Sequence, residues 1–158
     1  MTTKESGIYP DIQQRLKEIN GTRIDIGYFE GDNYTYRLVN GVKIPLDSPL
    51  PIALVAFWND KGTRNIHERP FLSTLFPENG SNYRKLSREY AYDVLLQKRT
   101  TDQMMNRLGS IMVSDVKLKI TNIRAPANAL STVRAKGFDN PLIWTGRMRA
   151  NTKYKVHK

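Results

Sequence analysis

The chain has 158 residues and no cysteine, and it carries 25 Lys+Arg side chains against 15 Asp+Glu, a formal net charge of +10. This length predicts one domain with its own hydrophobic core, and the missing cysteine excludes disulfides and cysteine-ligated metals. No run approaches the roughly 18 apolar residues of a membrane span. The first residues also lack the apolar stretch of a signal peptide. We therefore expect a protein made and folded in a cytoplasm, with no membrane partner.

The positive charge is concentrated in the second half of the chain. Residues 1–80 hold 9 basic and 10 acidic side chains, whereas residues 81–158 hold 16 basic and 5 acidic ones. Such an asymmetry indicates either a surface for a polyanion or an acidic protein, or a basic face that is only solvated.

The N-terminal segment, residues 1–20, predicts an amphipathic helix over residues 9–20, because its apolar residues from Ile8 to Ile19 recur every three or four positions. Residues 22–44 alternate between apolar and polar side chains, which predicts strands. Within them, Asn40-Gly41 is a pair that favours a tight hairpin turn. We expect a small antiparallel meander here, which the proline-rich residues 45–51 interrupt.

A short apolar helix is predicted after the prolines, from Ile52 to a stop at Gly62. Polar residues 63–69 then predict a loop. Two long amphipathic helices follow. The first is expected over residues 81–98, and Thr101 is expected to cap the second.

Gly109 lies inside the second long helix, where glycine costs roughly 0.8–1 kcal/mol against alanine. A neighbour packed close against the backbone is one reason to keep it. Residues 129–136 predict a further short helix that Gly137 stops, and the alternation over residues 152–158 predicts a final strand. The fold class is therefore α+β: a small antiparallel sheet with several helices packed mostly on one face, in a single domain over residues 1–158. Residues 147–158 form its basic C-terminal strand or arm.

Patterns that carry catalysis are weak in this chain. His67 and His157 have no metal ligands at suitable spacing, and there is no glycine-rich phosphate loop. Asp115 and Lys117 match the Asp-x-Lys part of a metal-dependent nuclease motif. They lie in a strongly helical run, however, where positions i and i+2 point apart. We therefore expect no enzyme activity, no cofactor and no metal site.

A nucleic-acid-binding module is the main alternative function, and a nuclease is less favoured. Three tyrosines at positions 83, 90 and 92 are interleaved with Arg84, Lys85 and Arg88. Aromatic side chains among cations can stack on unpaired bases. At helical spacing, however, such tyrosines more often belong to the core, as we expect for Tyr83 and Tyr90.

Several segments resemble the tail-completion, or head–tail joining, proteins of tailed bacteriophages. Residues 59–63 (Asn-Asp-Lys-Gly-Thr) and 66–72 (Ile-His-Glu-Arg-Pro-Phe-Leu) resemble the family's N-x-x-G-T and I-P-x-R-P-F-L patterns. Residues 132–136 resemble T-x-x-x-K, and residues 140–148 resemble P-L-I-D-T-G-x-L, with the family's closing strand after them. The chain departs from the pattern at His67, Trp144 and Met148, where the family has proline, aspartate and leucine. The resemblance does not place residues 39–51.

The resemblance implies a structural virion protein of the phage neck, made in the cytoplasm of a host bacterium. Its partners would be copies of itself in a ring, expected to be a hexamer, head connector or adaptor proteins, and tail tube or terminator proteins. Contact with genomic DNA in the channel is a further expectation. The structural and interface candidates are Arg69, Pro70, Phe71, Leu72, Trp144, Thr145, Gly146, Arg147, Arg149, Lys153 and Lys155.

These candidates also have a physical interpretation. Pro70 stiffens a turn, Phe71 and Leu72 fill the core, and Arg69 can hold a carboxylate or a carbonyl group. Thr145 is expected to be the N-cap of a short helix.

Overall fold

The computed structural model describes residues 9–39 and 41–158, and this part of the chain has the predicted α+β fold. The elements in chain order are α1 (Tyr9–Gly21), β1 (Arg23–Gly27), β2 (Asn33–Val39), β3 (Val42–Pro51), α2 (Ile52–Lys61), α3 (Leu75–Leu95), α4 (Thr101–Asn122), α5 (Leu130–Lys136), α6 (Arg147–Ala150) and β4 (Lys153–His157). Among these elements, no helix combines the length and the apolar composition that crossing a bilayer requires.

The described strands form two separate two-stranded sheets. β1 pairs with β4 from the end of the chain, and β2 pairs antiparallel with β3. The expected continuous meander over residues 22–44 is therefore wrong, although the strands themselves are where the alternation predicts them. Local alternation reports which face of a strand is buried, and it contains no information about a partner at the other end of the chain.

The proline-rich residues 45–51 belong to a strand instead of interrupting one. β2 and β3 form a hairpin in which Val39 pairs with Val42. Its predicted turn, Asn40-Gly41, falls partly outside the described residues because Asn40 is not among them. The register shifts between Tyr34 and Tyr36, where residues 46–49 of β3 have no partners. Prolines are tolerated in β3 because it is an edge strand with an irregular register.

Contacts between Cα atoms group the described residues into two compact units. Unit 1 contains residues 9–26, Glu78–Met112 and Tyr154–Lys158, and unit 2 contains Gly27–Pro77 and Val113–Lys153. The single domain over residues 1–158 stays a prediction, and residues 1–8 of the predicted N-terminal segment lie outside the description.

Unit 1 has a core built mainly by α3 and α4. Its most buried members are Val94, Met104, Met105 and Leu108, and the partly buried residues around them are Ile19, Ile24, Leu86, Tyr90, Ala91 and Val156. Tyr83 is also buried, at 3% exposure. The interpretation of Tyr83 and Tyr90 as core residues is thus confirmed. Leu16 of α1, by contrast, is 41% exposed despite its place on the apolar stripe.

Backbone caps set the ends of the long helices differently from the prediction. α3 begins at Leu75 instead of position 81, and it ends at Leu95 because Gln97 adopts a left-handed conformation with φ 61°. The N–H groups of Gln97 and Lys98 then bond back to the carbonyl groups of Val94 and Asp93, which is a Schellman motif.

The cap of α4 is Thr100 and not Thr101. The hydroxyl of Thr100 accepts a hydrogen bond from the Gln103 N–H at 3.2 Å, and the side chain of Gln103 accepts one from the Thr100 N–H at 3.0 Å. This reciprocal arrangement is a capping box. Because it satisfies two N–H groups at the helix start, it begins α4 at Thr101.

Gly109 of α4 is covered by the ring of Tyr154 from β4. A Cβ atom built on Gly109 would lie under 3.0 Å from ring carbons of Tyr154. The hydroxyl of Tyr154 donates a hydrogen bond to Asn106 Oδ1 at 3.0 Å. The expected close neighbour of Gly109 is therefore present, and it ties β4 to α4 within unit 1.

Unit 2 has its own buried side chains. The apolar ones are Ile52, Ala56, Phe71, Leu75, Val113, Val116, Ile120, Leu142 and Met148, and the polar ones are Asp60, Arg69 and Thr152. The short helix α5 ends as predicted, because Gly137 adopts a left-handed conformation and its N–H bonds to the Val133 carbonyl group.

Candidate assembly interface

An apolar groove of about 360 Å³ opens on unit 2. One wall is β2, where Tyr34, Tyr36 and Leu38 share a face because alternate residues of a strand point the same way. The other lining residues come from β2, β3, α2, the segment before α6 and α6 itself; they are Arg37, Leu46, Leu50, Val55, Asn59, Pro141, Leu142, Trp144, Thr145 and Met148. None of these lining residues carries a carboxylate, and Arg37 is the charged residue among them.

Trp144 is the most prominent interface candidate in this groove. Pro141 and Leu142 before it are buried, and Met148 after it is 4% exposed, so the segment is anchored on both sides. Trp144 itself remains 41% exposed. A large aromatic side chain that is held in place but left accessible is a typical anchor of protein interfaces.

Thr145 and Gly146 form the turn into α6. The N-cap position is Gly146, which adopts a left-handed conformation with φ 74°, so the prediction that Thr145 is the N-cap is wrong by one residue. The Thr145 hydroxyl still accepts a hydrogen bond from the Arg147 N–H at 3.3 Å. The turn therefore uses both residues, and it places Arg147 at the first position of the helix.

Arg147 is held against the tyrosines of β2. Its Nη2 donates to the Asn33 carbonyl oxygen at 2.8 Å, and its guanidinium carbon lies 5.6 Å and 5.7 Å from the ring centroids of Tyr34 and Tyr36. Such cation–π contacts stabilise by about 0.5–2 kcal/mol. Burial raises the pKa of Tyr34, and the Arg147 cation opposes that shift. Arg147 therefore shapes the groove, whereas Arg149 is exposed on α6.

The C-terminal cations are largely engaged within the fold. Lys153 Nζ lies 2.7 Å from Asp32 Oδ2, and Lys158 Nζ lies 2.8 Å from Asp102 Oδ2. Lys155 faces outward on β4, on the exposed side of the strand together with Lys153. Residues 153–157 thus form a paired strand whose ends are neutralised, which makes them weaker candidates for a partner contact than their charge suggested.

Arg69 is buried and stabilises the fold of unit 2, so it is not part of an exposed interface. It is 5% exposed, and it donates from Nε to the Pro126 carbonyl oxygen at 2.8 Å and from Nη2 to the Ala127 carbonyl oxygen at 3.0 Å. The prediction that it holds a carbonyl group is confirmed. Burial lowers the pKa of Arg69, and the nearby Asp139 carboxylate partly offsets this. Next to it, Phe71 is fully buried and Leu72 and Pro70 are partly buried.

Asp60 is the residue that sequence reasoning missed in this motif. Its Oδ1 accepts hydrogen bonds from three consecutive backbone N–H groups, those of Phe71, Leu72 and Ser73, at 3.0, 2.8 and 3.1 Å. Burial by itself would raise the pKa of Asp60, but the hydrogen bonds from Ser73 and Leu72 and the Lys61 cation lower it overall. The sequence feature that could have identified Asp60 is its position as the single acidic residue at the end of a mostly apolar helix.

The rest of the 59–72 motif closes the same loop. Gly62 has φ 74°, and a Cβ atom there would lie 3.0 Å from the Glu68 nitrogen and 3.1 Å from the Ile66 carbonyl oxygen. The Thr63 N–H bonds to the Ile66 carbonyl oxygen at 2.8 Å. The Thr63 hydroxyl also accepts a hydrogen bond from the Ile66 N–H at 3.0 Å. The glycine is therefore explained by backbone geometry, and the threonine by its hydroxyl group.

Asp115 and Lys117 lie in the middle of α4, as predicted, and do not share a face. In the part of the chain that the structure describes, no three His, Asp or Glu side chains are grouped so that they could hold a metal ion. Comparisons of the chain with models of protein families, with curated proteins and with solved structures found no match.

Proposed function

We propose that this protein is a structural virion component of a phage neck, whose copies form a closed ring that completes the tail or joins it to the head connector. In this proposal it catalyses no reaction and acts by docking. The family resemblance of the 59–72 and 140–148 segments suggests the proposal. The physical observation that supports the proposal is the distribution of exposed apolar side chains.

Exposed apolar side chains are concentrated on unit 2. The described residues include thirteen large apolar side chains that are exposed, and all but Leu16, Tyr92 and Leu96 belong to unit 2, which leaves ten there. Phe57, Val42 and Leu130 are 59%, 63% and 75% exposed. Neighbouring exposed apolar side chains, such as Leu54 and Phe57 one turn apart on α2, mark a binding surface, whereas isolated ones occur on most soluble proteins.

In a ring, each copy contacts the next one head to tail, so each copy needs two different surfaces that fit each other. The ring closes when the rotation from copy to copy adds up to a full turn. The groove around Trp144 is one candidate surface, and the exposed side of α2, with Leu54 and Phe57 one turn apart, is another. Both lie on unit 2. Connector and tail proteins would contact the two faces of the finished ring.

The ring proposal is tested by the mass and shape of the purified protein. We expect sedimentation to give a mass of several copies and electron microscopy to show closed rings. The double variant Phe57→Ser/Trp144→Ser should sediment as a monomer. The control Leu16→Ser/Leu96→Ser removes apolar groups of similar exposure, 41% and 47%, from unit 1 and should leave the ring intact. A wild-type protein that stays monomeric at all concentrations, or equal effects of both variants, contradicts the proposal.

The neck assignment is tested in the phage itself. Deletion of the gene should leave DNA-filled heads and separate tails. Joined, infectious particles in the deletion strain would rule out this place in assembly, even if the purified protein forms rings.

A further inference from the structure

The outward face of α3 in unit 1 combines cations with an exposed aromatic ring. Arg84, Lys85 and Arg88 are all exposed, and they lie within about one turn, since positions four apart are neighbours on a helix. Tyr92 follows one turn after Arg88 and is 63% exposed. Unlike Tyr83 and Tyr90, Tyr92 does not belong to the core.

These three cations differ from the paired cations of the basic half. Within the described residues, no hydrogen bond or ion pair engages Arg84, Lys85 or Arg88. By contrast, Lys153, Lys158 and Arg99 have carboxylate oxygens at 2.7, 2.8 and 3.0 Å. The C-terminal strand, where the sequence has its densest run of cations, is therefore not where the available positive charge lies.

Two acids, Glu78 and Glu89, share this face of α3. Glu89 is exposed and follows Lys85 by one turn, but in the part of the chain that is described it makes no ion pair with Lys85 or Arg88. With both acids counted, the face keeps a net charge of +1. The cations are thus free to bind a ligand with several negative charges.

We propose that the face formed by Arg84, Lys85, Arg88 and Tyr92 binds the phosphodiester backbone of a nucleic acid. The cations contact phosphates and release bound counterions, and Tyr92 stacks on a base where the strand is unpaired. A duplex offers phosphates but no free base face, so Tyr92 contributes only on single strands. This proposal does not depend on ring formation.

The test is the salt dependence of binding to fluorescent DNA, measured as anisotropy with a single strand and with a duplex. Each probe should be longer than about 16 nucleotides, the upper end of the site sizes of OB-fold single-strand binders. The affinity of the wild type should fall steeply between about 50 mM and about 200 mM salt. In Arg84→Gln/Lys85→Gln/Arg88→Gln, the slope of log affinity against log salt should flatten by about 0.9 per lost phosphate contact on the duplex and about 0.7 on the single strand.

A matched control removes the same charge elsewhere. Lys153→Gln/Lys155→Gln/Lys158→Gln also lowers the net charge by three, but two of its lysines already face carboxylates. The slope of log affinity against log salt for this control should therefore change by less than the value of one phosphate contact, about 0.9 on the duplex. Equal effects of the two triple variants, or no binding by the wild type, would overturn the proposal.

The role of Tyr92 is tested separately with Tyr92→Ala. Because base stacking needs an unpaired base, this change should weaken single-strand binding about fivefold or more and leave duplex binding unchanged. No change on the single strand would overturn the stacking role. All these side chains are exposed, so circular dichroism should report an unchanged fold. Sedimentation of the same variants reports ring formation independently.

Discussion

The buried carboxylate of Asp60 holds the end of the loop that connects α2 to α3. Asp60 receives three backbone N–H groups at one oxygen, and a buried acceptor of this kind holds its charge because hydrogen bonds favour the ionised form. Arg69 meanwhile fixes the following segment to two carbonyl groups. Polar side chains thus support the backbone between α2 and α3, where no regular hydrogen-bond ladder exists.

The substitution Asp60→Asn tests this arrangement. It keeps the shape but removes the charge, so the free energy of unfolding at pH 7 should fall by about 1–3 kcal/mol. The pKa of Asp60 is lowered in the folded state, and its stabilisation is therefore present above the unfolded value of 3.8 and lost as the pH falls through the folded value. Urea denaturation of both proteins should show a difference that shrinks as the pH is lowered from 7 into the acid range.

The control for this experiment is Asp47→Asn, at an exposed carboxylate of β3. It should change stability by no more than about 0.5 kcal/mol. A gap between wild type and Asp60→Asn that stays constant with pH would show that the charge of Asp60 does not stabilise the fold.

The ends of the helices are set by nearby residues, whereas positions inside them depend on contacts with residues far along the chain. The left-handed Gln97 ends α3, and the capping box at Thr100 begins α4. Both act through residues that are close in sequence. Gly109 is different, because only the ring of Tyr154, far along the chain, explains it.

A double-mutant cycle tests the contact between α4 and β4. In the wild type, Gly109→Ala should destabilise by about 1–3 kcal/mol, because the new methyl group overlaps the Tyr154 ring. In a Tyr154→Ala background the same change should stabilise by about 0.8–1 kcal/mol, since alanine is the better helix former. Thermal or urea denaturation of the four proteins gives the coupling energy. If Gly109→Ala changes the free energy of unfolding in the same direction in both backgrounds, the Tyr154 ring is not in close contact with Gly109.

Element prediction from sequence succeeded where the signal is local. Gly62 and Gly137 end α2 and α5 as expected, and β4 has the predicted exposed lysines. It failed for residues 45–51, because prolines in an edge hairpin look the same in sequence as prolines in a loop. Only the register against β2 distinguishes them.

Both compact units carry a net positive charge. Unit 2 has 13 basic and 7 acidic residues, a net of +6, and the described part of unit 1 has 11 and 7, a net of +4. Both units are positive, so copies of the protein repel each other at low salt. Association through apolar groups must overcome that repulsion.

This balance predicts opposite salt effects on the two proposed activities. Raising salt from about 0.1 M to about 1 M shortens the Debye length from about 10 Å to about 3 Å. Self-association in sedimentation should therefore strengthen, whereas DNA binding weakens. The variant Phe57→Ser/Trp144→Ser should show no association at either salt concentration. Self-association that weakens with salt would indicate ionic contacts between copies instead of apolar ones.

The sequence by itself determined the α+β class, most helix and strand positions, and the roles of Arg69 and Phe71. These depend on periodicity and turn chemistry, which act over a few neighbouring residues. Only the tertiary structure decided that β1 pairs with β4, that Arg147 stacks on Tyr34 and Tyr36, and which lysines are neutralised. Those contacts join residues far apart in the chain, and whether they form depends on how whole elements pack, which no local pattern encodes.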